Sequence, residues 1–144
     1  MFKRIKELRE YEGLTQKEIA KQLKVSRSTY GGWESGKDMI PLGKLNELAN
    51  FFHVTLDSLI GSNPEIEYEH SKNSLNKELI AHNIKSLRKS NNLSQEEFAK
   101  SINTSQANIH KYESGKSLIT TYYALELSKK YHYSLDKLTG RKSN

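Results

Sequence analysis

The chain has no cysteine, so no disulfide framework, zinc site or thiol nucleophile can be built, a composition that suits a reducing cytoplasm. It also lacks an apolar run of signal-peptide or membrane-span length; Met-Phe-Lys-Arg at the N-terminus leads straight into a mixed amphipathic pattern. Its five histidines show no metal-ligand spacing, and His53 and His132 fall near helix C-termini, where the helix dipole favours them. No nucleophile stands in a recognisable relation to a general base, which argues against an enzyme and gives no reason to expect a cofactor. Residues 31–37 imitate a phosphate loop, Gly-x-x-x-x-Gly-Lys. The imitation fails in context: Asp38 replaces the required Ser or Thr, no strand precedes it, and Gly31 falls inside a helical pattern. These absences predict a soluble, cytoplasmic, non-catalytic protein with no metal, no membrane partner and no evident small-molecule ligand.

What the chain does have is a repeat. Residues 5–61 lie over 84–140 without a gap, so that Leu8/Leu87, Arg9/Arg88, Gln16/Gln95, Ala20/Ala99, Glu34/Glu113, Gly36/Gly115, Lys37/Lys116 and Leu56/Leu135 coincide. A length of 144 residues would fit one domain, but the repeat makes it two modules. The boundaries read as a first module at 1–61, an acidic linker at 62–73, a second module at 74–140 and a tail at 141–144. The net charge of +6 favours an anionic partner and is unevenly spread: +2 over 1–61, −2 over 62–73 and +6 over 74–144.

Within the first module, Phe2, Ile5, Leu8 and Arg9 recur at helical spacing, and Gly13 ends that segment. Thr15-Gln16-Lys17-Glu18 is a capping box, repeated as Ser94-Gln95-Glu96-Glu97. It predicts a helix from about Gln16 that buries Ile19, Ala20 and Leu23 and ends before Val25. Ser26 then caps a third helix reaching Trp33 or Glu34, with Gly36 at its left-handed end. Two short helices so close together must cross steeply, the helix-turn-helix arrangement. Leu45, Leu48, Ala49 and Phe52 mark a fourth helix, and Leu56, Leu59 and Ile60 a short fifth. The fold class read from this pattern is all-α, five helices per module and no strand. In the second copy Ser74 is the expected cap of an extended first helix through Leu75, Leu79, Ile80 and Ile84.

Leu14-Thr15-Gln16, Ile19-Ala20, Val25-Ser26, Trp33-Glu34-Ser35-Gly36-Lys37 and Leu56-Asp57-Ser58-Leu59 resemble the lambda-repressor-like Cro and repressor (XRE) helix-turn-helix family. Leu93-Ser94-Gln95, Phe98-Ala99, Tyr112-Glu113-Ser114-Gly115-Lys116 and Leu135-Asp136-Lys137-Leu138 resemble it again. The resemblance implies two tandem modules that bind double-stranded DNA, with the start of each third helix facing base edges. Carried over by position, the base contacts of the second copy are Gln106, Ala107, Asn108, His110 and Lys111. Their chemistry suits the role: Gln and Asn pair with adenine, Lys donates to guanine and Ala meets a thymine methyl. The alternative is an ordinary solvated helix face. The first copy offers Arg27, Ser28 and Thr29, followed by Gly31 and Gly32, which bring no side chain and cost about 1 kcal/mol each in a helix. The second copy is therefore expected to carry most sequence discrimination. The resemblance also implies phosphate contacts from Gln16, Gln95, Lys37 and Lys116, and an orienting ion pair between Arg9 and Glu34, repeated by Arg88 and Glu113.

Twelve extended linker residues reach at most about 40 Å, against a DNA turn of about 34 Å, so both modules of one chain could occupy adjacent grooves. A homodimer with one module per chain on DNA is the competing assembly. Within the linker, Glu65-Ile66-Glu67-Tyr68-Glu69-His70 alternates at period two, which fits either an irregular tether or a short strand pairing between chains. The function expected from all of this is a transcriptional repressor occupying a promoter. A protein-binding adaptor, an antitoxin-like regulator and a nonspecific architectural DNA binder are the alternatives.

Overall fold

Four residues after the first helix stops, a side-chain hydroxyl starts the next, and most of the later helices start in the same way. The computed structural model describes residues 2–141, and every regular element among them is a helix. Five come first: α1 (Lys3–Tyr11), α2 (Gln16–Gln22), α3 (Arg27–Ser35), α4 (Leu42–Phe52) and α5 (Leu56–Leu59). Five more repeat them: α6 (Lys77–Ser90), α7 (Gln95–Ser101), α8 (Gln106–Glu113), α9 (Thr121–Tyr131) and α10 (Leu135–Thr139). The chain divides into two compact units, Met1–Asn73 and Ser74–Asn144. Of the expected tail at 141–144, residues 142–144 lie outside the described residues. Arg141 is buried, its Nε 3.4 Å from Asp136 Oδ1.

Both capping boxes form. Thr15 Oγ1 accepts from the Glu18 amide at 3.1 Å while Thr15 N donates to Glu18 Oε1 at 3.0 Å. Ser94 and Glu97 repeat this at 3.1 and 2.9 Å. The backbone N–H on each glutamate holds its carboxyl below the ordinary carboxylate range. Ser26 and Ser105 cap α3 and α8 by accepting from Thr29 N and Asn108 N. One cap differs from expectation. Asn76, not Ser74, starts α6, its Oδ1 accepting from Leu79 N at 3.0 Å. The helix thus begins later than Leu75, because the amide at Asn76 reaches the orphan N–H three residues on.

The ends repeat as faithfully as the starts. Left-handed residues occur at matching positions in both units: Gly13/Asn92, Lys24/Asn103, Gly36/Gly115, His53/His132 and Gly61/Gly140, all with φ between 51° and 85°. Each turns the chain sharply out of a helix and back onto the core. The cores are equivalent without being identical. In the first unit α2 contributes Ile19 and α3 contributes Tyr30; in the second α7 contributes Phe98 and α8 contributes Ile109, all four fully buried. The ring has moved from one helix of the pair to the other, which conserves volume across the packed helices.

Residues 62–73 are hydrogen-bonded to the first unit. Tyr68 forms an isolated antiparallel bridge with Val54, Thr55 N donates to Glu67 O at 3.1 Å, and Glu69 N donates to His53 O at 2.8 Å. Asn46 and Asn50 both donate from Nδ2 to Asn73 O, at 2.7 and 2.8 Å. The period-two pattern therefore finds its pairing partner within the same unit.

Candidate nucleic-acid interface

The second and third helices of each unit are locked by one polar cluster. Arg9 on α1 donates from Nε and Nη2 to the two carboxylate oxygens of Glu34, at 2.8 and 2.7 Å, and from Nη1 to Leu14 O at 2.8 Å. Gln16, first residue of α2, donates from Nε2 to Glu34 Oε1 at 3.2 Å. In the second unit Arg88 forks onto Glu113 at 2.7 and 3.0 Å and reaches Leu93 O at 2.8 Å, while Gln95 donates to Glu113 Oε1 at 3.2 Å. One carboxylate thus joins three points: the first helix, the start of the second and the end of the third. The planar guanidinium suits such a fork.

Burial alone would oppose charge on Glu34. The hydrogen bonds from Arg9 and Gln16 help outweigh it and hold its carboxyl below the ordinary value of 4.5. The partnered carboxylate in turn raises Arg9. Side-chain exposure of only 11% for Arg9 and 3% for Glu34 means that losing either partner strands a nearly buried charge.

This frame presents α8 with Gln106, Ala107, His110 and Lys111 exposed on its surface. Asn108 is half-buried, and its Nδ2 donates to Thr104 Oγ1 at 2.9 Å. Its carboxamide is therefore held by the turn before the helix and keeps its other amide hydrogen and its oxygen. On α3, Arg27, Ser28 and Thr29 are exposed, with Thr29 Oγ1 accepting from Ser26 Oγ at 2.9 Å. Gln16 and Gln95 are half-buried; each spends one amide hydrogen on its glutamate and keeps a second. Lys37 and Lys116 are exposed in the turns after α3 and α8.

Sequence reasoning missed one member of this surface. A Cβ built on Gly32 would lie 2.7 Å from Asp38 Oδ2, so the Asp38 carboxylate occupies the space over Gly32. A Cβ on Gly31 would lie 3.3 Å from Gln16 Oε1. The repeat held the signal, since Asp38 aligns with Ser117 and Gly32 with Lys111.

The helix-turn-helix family HTH_3 matches the chain twice, over residues 5–59 and 84–138. The chain belongs to the XRE-type helix-turn-helix family. This helix-turn-helix protein is 36% identical over 73 residues to the HTH-type transcriptional activator BcrR of Enterococcus faecalis, covering 51% of this chain and 36% of that protein. It is 32% identical over 78 residues to the uncharacterized HTH-type transcriptional regulator YobD of Bacillus subtilis strain 168, covering 51% of this chain and 70% of that protein. No solved structure matches it significantly. None of its described helices is long and apolar enough to cross a membrane.

Proposed function

We propose that this helix-turn-helix protein is a transcription regulator that binds double-stranded DNA with sequence specificity and represses by occupying a promoter. The observation that carries the reading is the exposed polar set on α8, Gln106, His110 and Lys111, held on a helix whose end is fixed by the Arg88–Glu113 fork. A helix so anchored can enter a major groove as a rigid body, and these side chains have the donors and acceptors that distinguish base pairs there. The second unit supplies most of the discrimination, with Asn108 and Ala107 as further base contacts. Gln95 and Lys116 grip the phosphates, as Gln16 and Lys37 do in the first unit.

Selection of the whole chain against random duplex DNA at fixed salt tests the proposal. One strongly enriched motif is the expected result, and its symmetry separates two modules of one chain from a homodimer. An unenriched pool overturns sequence specificity. Lys116→Ala should weaken binding to all sequences alike and flatten the salt dependence by about one unit of slope. Loss confined to one sequence would remove Lys116 from the phosphate contacts. Transcription from a reporter carrying the selected motif distinguishes repression from activation, the activity in BcrR's name.

A second reading, a protein-binding adaptor, draws on the first unit alone, where Gly31 and Gly32 leave α3 without reading side chains at two positions. DNA binding that survives deletion of every α8 contact but fails with Arg27→Ala would reverse the ranking of the two units.

A further inference from the structure

The two units differ at two matched positions of this surface. In the second, Lys111 sends a cation out from α8 and Ser117 follows in the turn; in the first, the corresponding residues are Gly32 and Asp38. The Asp38 carboxylate lies where a Gly32 side chain would begin, 2.7 Å from the Cβ position. It is tied there through its own backbone, Asp38 N donating to Gly32 O at 3.1 Å. No donor among the described residues reaches its carboxylate. The rest of the frame is kept: the Arg9–Glu34 fork, the Gln16 amide and the Lys37 ammonium all repeat their counterparts.

We propose that Asp38 is a base-reading residue of the first unit, accepting a hydrogen bond from a cytosine amino group in the major groove at the place where Lys111 donates in the second unit. The inference rests on the DNA-binding function proposed above. A carboxylate is an acceptor only; it pairs with cytosine N4 and is repelled by the acceptor edges of guanine and by thymine O4. Glycine at position 32 leaves the space the carboxylate fills, and glycine at position 31 adds no side chain to hold the helix off the base edges. The two units then read different base pairs at equivalent positions, and the bound DNA sequence is asymmetric even though the protein is a repeat.

The experiment is the random-duplex selection performed in parallel on the unmodified chain, Asp38→Ser and Gly32→Ala. Asp38→Ser installs the residue of the second unit. Gly32→Ala keeps the charge but displaces the carboxylate, and the gain in helix propensity guards against unfolding. Both variants should lose a cytosine preference at one position of the motif, with affinity for the original motif falling about 5- to 10-fold and the remainder of the motif unchanged. If Asp38→Ser leaves the motif intact and tightens binding to all sequences alike, the carboxylate only repels phosphate and the inference falls while sequence-specific binding stands. If the unmodified chain enriches nothing, the inference and the proposed function fall together.

Discussion

Glu34 shows how a single residue can govern a surface it does not itself reach. Its two oxygens bind Arg9 and Gln16, so α1, α2 and α3 share one carboxylate. Because its carboxyl is held below 4.5 in the folded state, its contribution is fully present above that value and is lost as pH falls through the lower folded value. Glu34→Gln should therefore flatten the acid limb of the stability curve, measured by urea denaturation of the whole chain from about pH 7 down to about pH 3. Glu34→Ala should destabilise by about 3–5 kcal/mol, since Arg9 would stay buried without its partner. The pairing was legible in sequence through the family resemblance. The Gln16 amide bond was not, because a glutamine at a helix start is equally compatible with solvent, and only the close approach of Glu34 gives its first hydrogen a partner.

At the scale of elements, hydroxyl and amide caps decide where most helices begin, although α1 and α4 follow Phe2 and Pro41 without a side-chain cap. Three of these caps, Thr15, Ser26 and Ser94, were readable, because a hydroxyl just before an apolar period has few other uses. The start of α6 was not, since Ser74 and Asn76 are both good caps two residues apart. Asn76→Ala should cost about 1 kcal/mol while Ser74→Ala costs little, a contrast that thermal denaturation of the two variants checks. Helix ends were read where glycine marks them, at Gly36. Lys24 and His53 take the same left-handed conformation without any local sequence signal. Tertiary packing imposes it there, bringing the chain back onto the core at a local cost of about 1–2 kcal/mol.

For the whole molecule, the question is how much chain is free between the modules. Composition assigned twelve residues to a linker, but Glu67, Glu69 and Asn73 donate their amides to Ser58, His53 and Asn50 of the first unit. Those three amides should exchange with solvent more slowly than those of the exposed Glu65 and Lys72, measured by NMR on the intact chain. Asn50→Ala removes the acceptor of the Asn73 amide and should raise its exchange rate, while Asn46 still holds the Asn73 carbonyl. Uniformly fast exchange from 62 to 73 would mean that this segment is a tether after all.

The sequence by itself determined the repeat, the all-α class, the helix order and the helix-turn-helix family, because hydrophobic periodicity and side-chain caps are local properties that survive duplication. It also marked the positions on α8 where polar groups accumulate. Only the tertiary structure decided that Asp38 covers Gly32, that Phe98 replaces the bulk of Tyr30 from the other side of a helix pair, and that residues 62–73 fold back on the first unit. Each of these joins groups whose meeting depends on how helices and turns pack, and no local pattern records that distance.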